Sequence, residues 1–276
     1  MDGLDRLIAL ALDEDLGSAG DVTTQALVPA TALGRAELWA KEPMIVAGTE
    51  AARRALQAVD PALEVRFAVA DGEGVEPRKV LGTVVGSLRS ILIGERTALN
   101  LLQRLSGVAT ATARAAKALE GTRCQVLDTR KTTPGWRALE KAAVRAGGGK
   151  NHRFGLYDGV LIKDNHIAAV GSIGEAVRRA RAGAHHLLKI EVEVVDLKGV
   201  DEALAAGAEV ILLDNMDTGA IRAAVERIGG RARTEASGGI TLERLPEIAA
   251  AGVDFVSMGA LTHSARGMDI SLEVVG

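Results

Sequence analysis

Short apolar runs alternate with turns and helical patterns after Gly121, and this alternation constrains the fold more than any other feature of the chain. Each run has the length of a buried strand and is followed by a polar or glycine-rich turn. Such repetition predicts parallel strands connected by right-handed helical crossovers. The runs lie at 125–127, 160–162, 187–194, 210–213, 233–236 and 254–257, and a seventh strand is suggested at 150–153.

A barrel or near-barrel is the favoured closure of these strands, and a doubly wound open sheet is the alternative. The polar residues favour the barrel, because barrel active sites form at the carboxyl ends of the strands. Ordinary loop polarity would explain some of them, but six strand ends with chemically useful groups exceed it. These residues are Asp128, Lys163, Glu193, Asp214, Ser237 and Ser257.

The first hundred residues have a different pattern. Period-two alternation predicts strands at 33–41 and 63–70, and helices are predicted at 1–12 and 51–59. Together they indicate a sheet with a helical cover. Apolar periodicity from Ile91 to Leu119 predicts a long helix that links this part of the chain to the parallel strands.

Composition excludes several classes of protein. Hydrophobic residues make up 47% of the 276 residues and charged residues 25%, as in globular proteins. No apolar run is long enough for a membrane span, and the start lacks the layout of a signal peptide, so we expect a cytoplasmic protein. The single cysteine, Cys124, excludes an intrachain disulfide. A net charge of −3 with 2% aromatic residues argues against nucleic acid.

Positive charge is concentrated between residues 123 and 166, where nine Lys or Arg accompany four Asp or Glu. Because the whole chain is slightly acidic, this local excess predicts a small anionic ligand. Arginine suits a carboxylate and lysine suits a phosphate. Solvated loop charge is the simpler interpretation of any one of these cations. The candidates are Arg130, Lys131, His152, Arg153 and Lys163.

Three carboxylates follow on neighbouring strands. Glu191 and Glu193 alternate with valines, which places both on one face of a strand about 6.6 Å apart. Asp214 ends the next apolar run. Hard oxygen ligands without clustered Cys or His indicate a Mg²⁺ site or a site for a cationic intermediate. A structural ion pair with Lys163 or Lys189 is the alternative.

Two glycine-bearing loops, 237–239 and 257–260, come after the last strands. Glycine permits close approach of the backbone, and helix N-termini present free N–H groups. Barrels commonly hold a phosphate at the loops after their last two strands. The two loops together therefore predict a phosphate site.

A set of strings in the sequence closely resembles the quinolinate phosphoribosyltransferase family, also called carboxylating nicotinate-nucleotide pyrophosphorylases. The resemblance runs in order from about Asp13 to Ala265. A relative associated with molybdenum transport has similar DTRKT and HR segments but lacks the KDNH string found here at 163–166. The strings are EDLGSAGDVTT, GERTALNLLQRLSG, DTRKT, GGGKNHR, LIKDNH, IEVEV, LLDN, ASGGI and SMGALTHSA.

The resemblance implies an α/β protein with an N-terminal α/β sandwich domain at 1–105 and a C-terminal incomplete α/β, TIM-like barrel at 106–267. A strand at about 268–276 is a candidate to rejoin the first domain. The implied assembly is a homodimer with active sites shared between chains, with a hexamer as the larger alternative. The implied reaction joins quinolinate to phosphoribosyl pyrophosphate, giving nicotinate mononucleotide, pyrophosphate and carbon dioxide in de novo NAD biosynthesis.

The family's site residues carry over to positions of this chain. The quinolinate carboxylates are implied to bind Arg130, His152, Arg153 and Lys163, with Arg96 from the partner chain. Phosphoribosyl pyrophosphate is implied to bind Lys131, Lys163, Glu193, Asp214, Ser237, Gly238, Gly259 and His263. Lys131, Lys163, Glu193 and Asp214 are the implied catalytic residues. Mg²⁺ is expected mainly on the substrate pyrophosphate, with Glu193 and Asp214 as candidate ligands.

Two other functions stay open from the residues alone. A lysine at the end of a barrel strand suits a Schiff-base aldolase, with Lys163 as the nucleophile, and borohydride trapping with a carbonyl substrate would detect it. A non-catalytic protein that binds phosphorylated metabolites is the other, because a fold does not fix a function. Binding without turnover would support that alternative.

Overall fold

The computed structural model describes residues 2–275, which divide into two compact units. The first unit comprises the described chain up to Ala113, Thr133–Gly148 and the residues from Ser264 onward. The second comprises Arg114–Thr132 and Gly149–His263. Every helix among the described residues is too short or too polar to cross a membrane.

The first unit contains an antiparallel sheet. Strands β1 (Leu33–Ala40) and β5 (Val80–Ser87) form its middle, β3 (Glu64–Phe67) pairs with β5 at one edge, and β12 (Ile270–Val275) pairs with β1 at the other. A separate short pair joins β2 (Met44–Ile45) to β4 (Gly74–Val75). From Ala36 onward every second residue of β1 is fully buried, at Ala36, Leu38 and Ala40. The period-two pattern in the sequence therefore marks the inner face of this sheet.

Helices accompany the sheet of the first unit. Its longest helix passes into the second unit after Ala113. Asp2 is the N-cap of the first helix: its side chain accepts the Asp5 N–H at 2.9 Å, and this capping fixes where the helix starts. The helices are α1 (Gly3–Leu16), α2 (Val22–Leu27), α3 (Thr49–Val59), α4 (Leu88–Ala118) and α5 (Arg137–Ala146).

The second unit contains a parallel sheet of β6 to β11. Its strands are β6 (Gln125–Leu127), β7 (Val160–Ile162), β8 (Ile190–Val194), β9 (Val210–Asp214), β10 (Arg233–Ser237) and β11 (Phe255–Ser257). The spatial order is β6-β11-β10-β9-β8-β7, so β7 to β11 lie side by side in chain order and β6 adjoins β11. The order does not reverse, as a doubly wound sheet would require. The expected incomplete α/β barrel is confirmed, and it is open between β6 and β7.

Helices follow the strands of the second unit. Ser172, Asp196 and Asp217 cap the helices at 173, 197 and 218, and each side chain accepts a backbone N–H of the first turn. The caps at Asp196 and Asp217 end the loops soon after β8 and β9, and Ser172 separates two consecutive helices. The helices are α6 (Asp164–Val170), α7 (Ile173–Gly183), α8 (Leu197–Ala205), α9 (Thr218–Ile228), α10 (Leu245–Ala250) and α11 (Ala260–His263), and a 3₁₀ turn spans Leu242–Arg244.

The seventh strand suggested at 150–153 is wrong. The structure has a single parallel bridge there, between Leu127 and Lys150. The next backbone N–H groups bind side chains instead of a neighbouring strand: the His152 N–H donates to Asp128, and the Arg153 N–H donates to the ring of His152. The ladder therefore cannot continue beyond the bridge, and the chain turns toward the carboxyl ends of the strands.

Candidate active site

The carboxyl ends of the parallel strands surround a cavity of about 600 Å³ in the second unit. Register explains the convergence, because Ser237 lies beside Asp214 and Glu193 lies beside Leu212 in adjacent strands. Of the residues singled out in the sequence, those lining the cavity are Arg130, Lys131, His152, Arg153, Lys163, Glu193, Asp214, Ser237, Gly238 and Ser257.

Gly259 and His263 lie next to this lining. A Cβ atom added at Gly259 would come within 2.9 Å of Lys131 Cδ and 3.1 Å of His263 Cδ2, so the three residues are in close contact. Arg96 belongs to the first unit, where it lines a groove of about 420 Å³ together with Asn100 and Trp136. The structure therefore groups Gly259 and His263 with the cavity and leaves Arg96 outside its lining.

Lys163 is held at the junction between β7 and α6. Its backbone N–H donates to Nδ1 of His166 at 2.9 Å, and the Lys163 carbonyl accepts the His166 N–H at 2.9 Å. These two bonds close the first turn of the helix immediately after the strand. The KDNH string thus has a structural purpose, which is to fix the backbone of the lysine at the edge of the cavity.

The Lys163 ammonium forms an ion pair with the Glu193 carboxylate. The lysine side chain is 45% exposed and that of Glu193 is 12% exposed, so the pair sits where the cavity opens. The alternative of an ion pair with Lys163 is therefore observed for Glu193. An ion pair at a partly open position exchanges readily for a ligand, because exposed pairs contribute little stability.

Arg130 and Lys131 lie on the loop after β6. The Thr129 hydroxyl accepts the Lys131 N–H at 3.0 Å, and the Thr262 hydroxyl donates to the Lys131 carbonyl at 2.8 Å. The second bond ties this loop to α11, where His263 is located. The DTRKT string and the SMGALTHSA string therefore meet at one place.

Arg153 is positioned by two backbone contacts. Its N–H donates to Nδ1 of His152 at 2.7 Å, and its guanidinium Nη1 donates to the Gly159 carbonyl at 3.0 Å. Burial lowers the pKa of Arg153, and the charge of Arg130 lowers it further. An arginine stays charged under such a shift, so two guanidinium groups face one cavity and favour a dianion between them.

The glycine-bearing loop after β10, at 237–239, adopts a conformation that requires glycine. Gly238 has a φ of 86°, and a Cβ atom there would lie 2.3 Å from Oδ1 of Asn215. Asn215 has a φ of 53°, donates its N–H to the Ser237 carbonyl at 2.9 Å, and donates its side-chain amide to Asp214 at 2.6 Å. Glycine thus allows two strand-end loops to approach closely and orients the Asp214 carboxylate.

His152, Glu191 and Glu235 form a group that we call the buried histidine–glutamate cluster. Nε2 of His152 is 2.9 Å from the Glu191 carboxylate and 3.7 Å from the Glu235 carboxylate. Burial raises the pKa of Glu235 to about 8, and the negative charge of Glu191 contributes to the rise. Burial lowers the pKa of His152, but the hydrogen bond that His152 donates to Glu191 and the charge of Glu235 outweigh it, so the net shift is upward.

Glu191 and Glu193 share one strand face, as the alternation predicts, but they have different partners. Glu193 pairs with Lys163, whereas Glu191 joins the buried histidine–glutamate cluster. Sequence reasoning missed Glu235, Asn215 and Thr262. The signal for Glu235 was present, because an acid within the short β10 run alternates with buried residues and shares a face with Ser237.

A larger groove of about 740 Å³ lies between α7 and α8. It is lined by small apolar residues and by Arg178, Arg181 and Glu202 at its rim. Arg178 and Arg181 are engaged in surface ion pairs with Glu175 and Glu209. No set of functional groups converges there among the described residues, so the smaller cavity at the strand ends is the site.

Family models match nearly the whole chain. The model for the N-terminal domain of quinolinate phosphoribosyl transferase matches residues 21–106, and the model for its C-terminal domain matches residues 108–273. The chain belongs to the quinolinate phosphoribosyltransferase family. Membership confirms the resemblance stated from the sequence and identifies an enzyme of the pentosyltransferase class.

Individual relatives agree with this assignment. The nicotinate-nucleotide pyrophosphorylase (carboxylating) of Mycobacterium leprae is 46% identical over 272 residues, covering 97% of this chain and 95% of that protein. A mitochondrial quinolinate phosphoribosyltransferase (decarboxylating) of Nicotiana glauca is 42% identical and covers 98% of this chain and 82% of that protein. The solved structure of the Francisella tularensis nicotinate-nucleotide pyrophosphorylase has a TM-score of 0.95 at 38% identity, covering 99% of this chain and 96% of that one.

Proposed function

We propose that this protein transfers the phosphoribosyl group of phosphoribosyl pyrophosphate to the ring nitrogen of quinolinate. Carbon dioxide and pyrophosphate are released, and the product is nicotinate mononucleotide for de novo NAD biosynthesis. The observation that carries the proposal is one cavity with four cations, Arg130, Lys131, Arg153 and Lys163, facing two acids at strand ends, Glu193 and Asp214. Two polyanionic reactants and a cationic transition state need this charge pattern.

Quinolinate binds at the arginine side of the cavity. Its two carboxylates suit the planar guanidinium groups of Arg130 and Arg153, which bind carboxylates through paired N–H donors. Lys163 adds a third cation from the end of β7. The aromatic ring is then fixed with its nitrogen toward the sugar, which supplies the orientation that a two-substrate reaction requires.

Phosphoribosyl pyrophosphate binds at the other side. Lys131 offers a compact charge for phosphate, and the loops at Ser237–Gly238 and at Gly259 offer close backbone approach. His263 lies beside Lys131 and Gly259. These loops follow the last two strands of the sheet, where barrels commonly bind phosphate.

Glu193 and Asp214 act on the sugar. The ring nitrogen forms a bond to the anomeric carbon while the bond to pyrophosphate breaks, and the leaving oxygen takes the electron pair. Positive charge develops on the ribose in this step. Carboxylates placed beforehand at the adjacent strand ends stabilise this charge without reorganisation. Lys131 and Lys163 balance the departing negative charge.

Mg²⁺ is the proposed cofactor. The Asp214 carboxylate lines the cavity and is oriented by Asn215, so its oxygens fit a hard cation that is carried mainly by the substrate pyrophosphate. Glu193 is ion-paired with Lys163, so we assign it to the sugar and not to the metal ion. When bound, Mg²⁺ would neutralise the charge of the leaving group.

Decarboxylation follows from the first step. Once the ring nitrogen carries the ribose it is quaternary and positively charged. The carbon–carbon bond to the adjacent carboxylate then breaks, carbon dioxide leaves, and the electron pair stays on the ring carbon beside the charged nitrogen. A proton replaces the lost group and completes the product.

We propose a homodimer with shared active sites as the working assembly. Arg96 is implied by the family resemblance to bind quinolinate, yet it is not part of the cavity lining in its own chain. Contribution of Arg96 from a partner chain would reconcile the implied role with the position of this residue. We also propose a cytoplasmic location. The single cysteine, Cys124, is a buried free thiol, and a chain without an intrachain disulfide is usual in a reducing compartment.

The purified protein incubated with quinolinate, phosphoribosyl pyrophosphate and Mg²⁺ is expected to form nicotinate mononucleotide. Nicotinate offered as a competing acceptor is expected to react poorly, because it lacks the second carboxylate that the paired arginines bind. Preference for nicotinate would refute the assignment. Borohydride trapping on Lys163 with a carbonyl substrate would favour the aldolase alternative, although an ammonium ion-paired with Glu193 is a poor Schiff-base nucleophile.

A further inference from the structure

His152 and Glu235 of the buried histidine–glutamate cluster line the same cavity, Glu191 contacts His152, and the two acids have no part in the steps described above. Glu191 is 7% exposed and Glu235 is 2% exposed. Each has one carboxylate oxygen, Oε1, that is buried and accepts no hydrogen bond among the described residues. The carboxylate oxygens of the two acids lie within 4.8 Å of each other. Two buried carboxylates at this separation destabilise each other unless a proton or a cation lies between them.

His152 does not supply the missing positive charge. Its Nδ1 accepts the Arg153 N–H at 2.7 Å, so that nitrogen carries no proton in this geometry. The ring proton is therefore on Nε2, where it is donated to Glu191 at 2.9 Å. Burial lowers the pKa of His152, but the hydrogen bond to Glu191 and the charges of Glu235 and Glu191 raise it overall. Full ionisation of both acids would favour a proton on Nδ1, and a protonated Nδ1 could no longer accept the Arg153 N–H.

We propose that Glu235 is a positioning residue that works as a neutral carboxylic acid. It retains one proton, so the buried histidine–glutamate cluster carries one negative charge instead of two. The neutral state of Glu235 preserves the His152 ring as an acceptor for Arg153 and keeps a second anion away from the bound quinolinate. This inference rests on the proposed function, because it concerns the binding of that dianion.

The surroundings of Glu235 support the neutral state. Glu191 approaches from β8 and His152 from the segment after the Lys150 bridge. Ser257 from β11 donates a hydrogen bond that partly opposes the upward shift in pKa. On β9 the register partner is the apolar Leu212. Burial dominates the balance, as it does for other carboxyl groups in apolar sites.

The inference predicts an alkaline loss of quinolinate affinity. In the wild type, the kcat/KM for quinolinate is expected to fall about tenfold for each pH unit above the ionisation of Glu235. The KM for quinolinate should carry most of the change, and the KM for phosphoribosyl pyrophosphate much less. The side chain of Glu235→Gln is neutral at every pH. The kcat/KM of this variant for quinolinate is therefore expected to change by no more than about twofold between pH 7 and pH 9.5.

Glu191→Gln sharpens the test. The charge of Glu191 contributes to the raised pKa of Glu235, so its removal is expected to move the alkaline loss to lower pH. Glu247→Gln, an exposed acid on α10, is the matched control and should keep the wild-type profile. An alkaline loss of the same size in Glu235→Gln as in the wild type would overturn the proposal.

An infrared measurement on the wild type avoids any dependence on the folding of a variant. A protonated-carboxyl band present at pH 7 and lost by pH 10 is expected, and its absence at pH 7 would overturn the proposal. A stoichiometric metal ion in the purified protein would also overturn it, because His152, Glu191 and Glu235 have the spacing of a metal site. Failure of the wild type to make nicotinate mononucleotide at pH 7 would refute the proposed function alone, since the infrared band is measured without substrate.

Discussion

Two acidic residues on one face of β8 work in different electrostatic settings. Glu193 meets the half-exposed ammonium of Lys163, whereas Glu191 meets a neutral imidazole and a second buried acid, Glu235. The first contact is an ion pair that a ligand can displace. In the second setting we infer that Glu235 retains a proton, because two buried acids share one imidazole. The net charge of this cavity therefore depends on which groups each acid contacts, and the number of acids alone does not determine it.

The largest expected effect comes from breaking the Lys163–Glu193 pair. Lys163→Ala removes a cation that faces both substrates and leaves Glu193 uncompensated in the cavity. We expect kcat/KM to fall about a thousandfold, the scale for loss of one preorganised electrostatic group. Steady-state kinetics would measure it. Lys189→Ala, an exposed lysine at the opposite end of β8, is the matched control and should stay within about twofold. A small loss in Lys163→Ala would remove this lysine from the mechanism.

Complementation tests whether the cavity is completed by another chain. Arg96→Ala and Lys163→Ala chains are each expected to be nearly inactive. Mixed and refolded together, they should regain roughly a quarter of the wild-type activity, because about half of the dimers are hybrids and each hybrid has one intact site. No recovery, with both chains shown to fold and to associate, would contradict shared sites.

Arg153→Ala tests the arginine side of the cavity. We expect a loss of about 1.5 to 3 kcal/mol of quinolinate interaction, or roughly a ten- to hundredfold rise in KM for quinolinate. The KM for phosphoribosyl pyrophosphate should change much less. The exposed Arg178, ion-paired with Glu175 on α7, provides a control substitution. Unchanged saturation by quinolinate would refute the role of Arg153.

The smallest effect concerns stability. The pKa of Glu235 is raised from 4.5 to about 8, so the stability that its protonated form contributes is complete below pH 4.5 and is lost as pH rises through about 8. Glu235→Gln lacks this dependence. As pH rises from 5 to 8, the Tm of Glu235→Gln measured by thermal denaturation should therefore increase by a few degrees relative to the Tm of the wild type. A constant difference in Tm across this range would show that the buried acid does not titrate as described.

Local patterns predicted which polar residues lie at the strand ends. Lys163, Glu193 and Asp214 each end or nearly end an apolar run, and parallel strands bring their carboxyl ends together. The same patterns did not predict partners across the sheet. Contact between Glu191 on β8, Glu235 on β10 and His152 in a loop depends on strand stagger and on the path of a connection, and neither is encoded in the periodicity of a single segment.

The incorrect seventh strand has the same origin. Residues 150–153 follow a glycine run and precede a strand, which is a position where the alternation of the sequence suggests a further strand. Asp128 and the His152 ring accept the backbone N–H groups that a strand would have used. Side chains that compete with a ladder for the backbone are invisible to hydrophobic periodicity. They also explain why His152 and Arg153 are held at the cavity.

The most direct test uses quinolinate labelled in the carboxylate next to the ring nitrogen. With phosphoribosyl pyrophosphate and Mg²⁺ present, the account predicts release of labelled carbon dioxide in equal amount to nicotinate mononucleotide and pyrophosphate, and no release when phosphoribosyl pyrophosphate is omitted. Carbon dioxide release without phosphoribosyl pyrophosphate, or pyrophosphate release with no pyridine nucleotide formed, would contradict it.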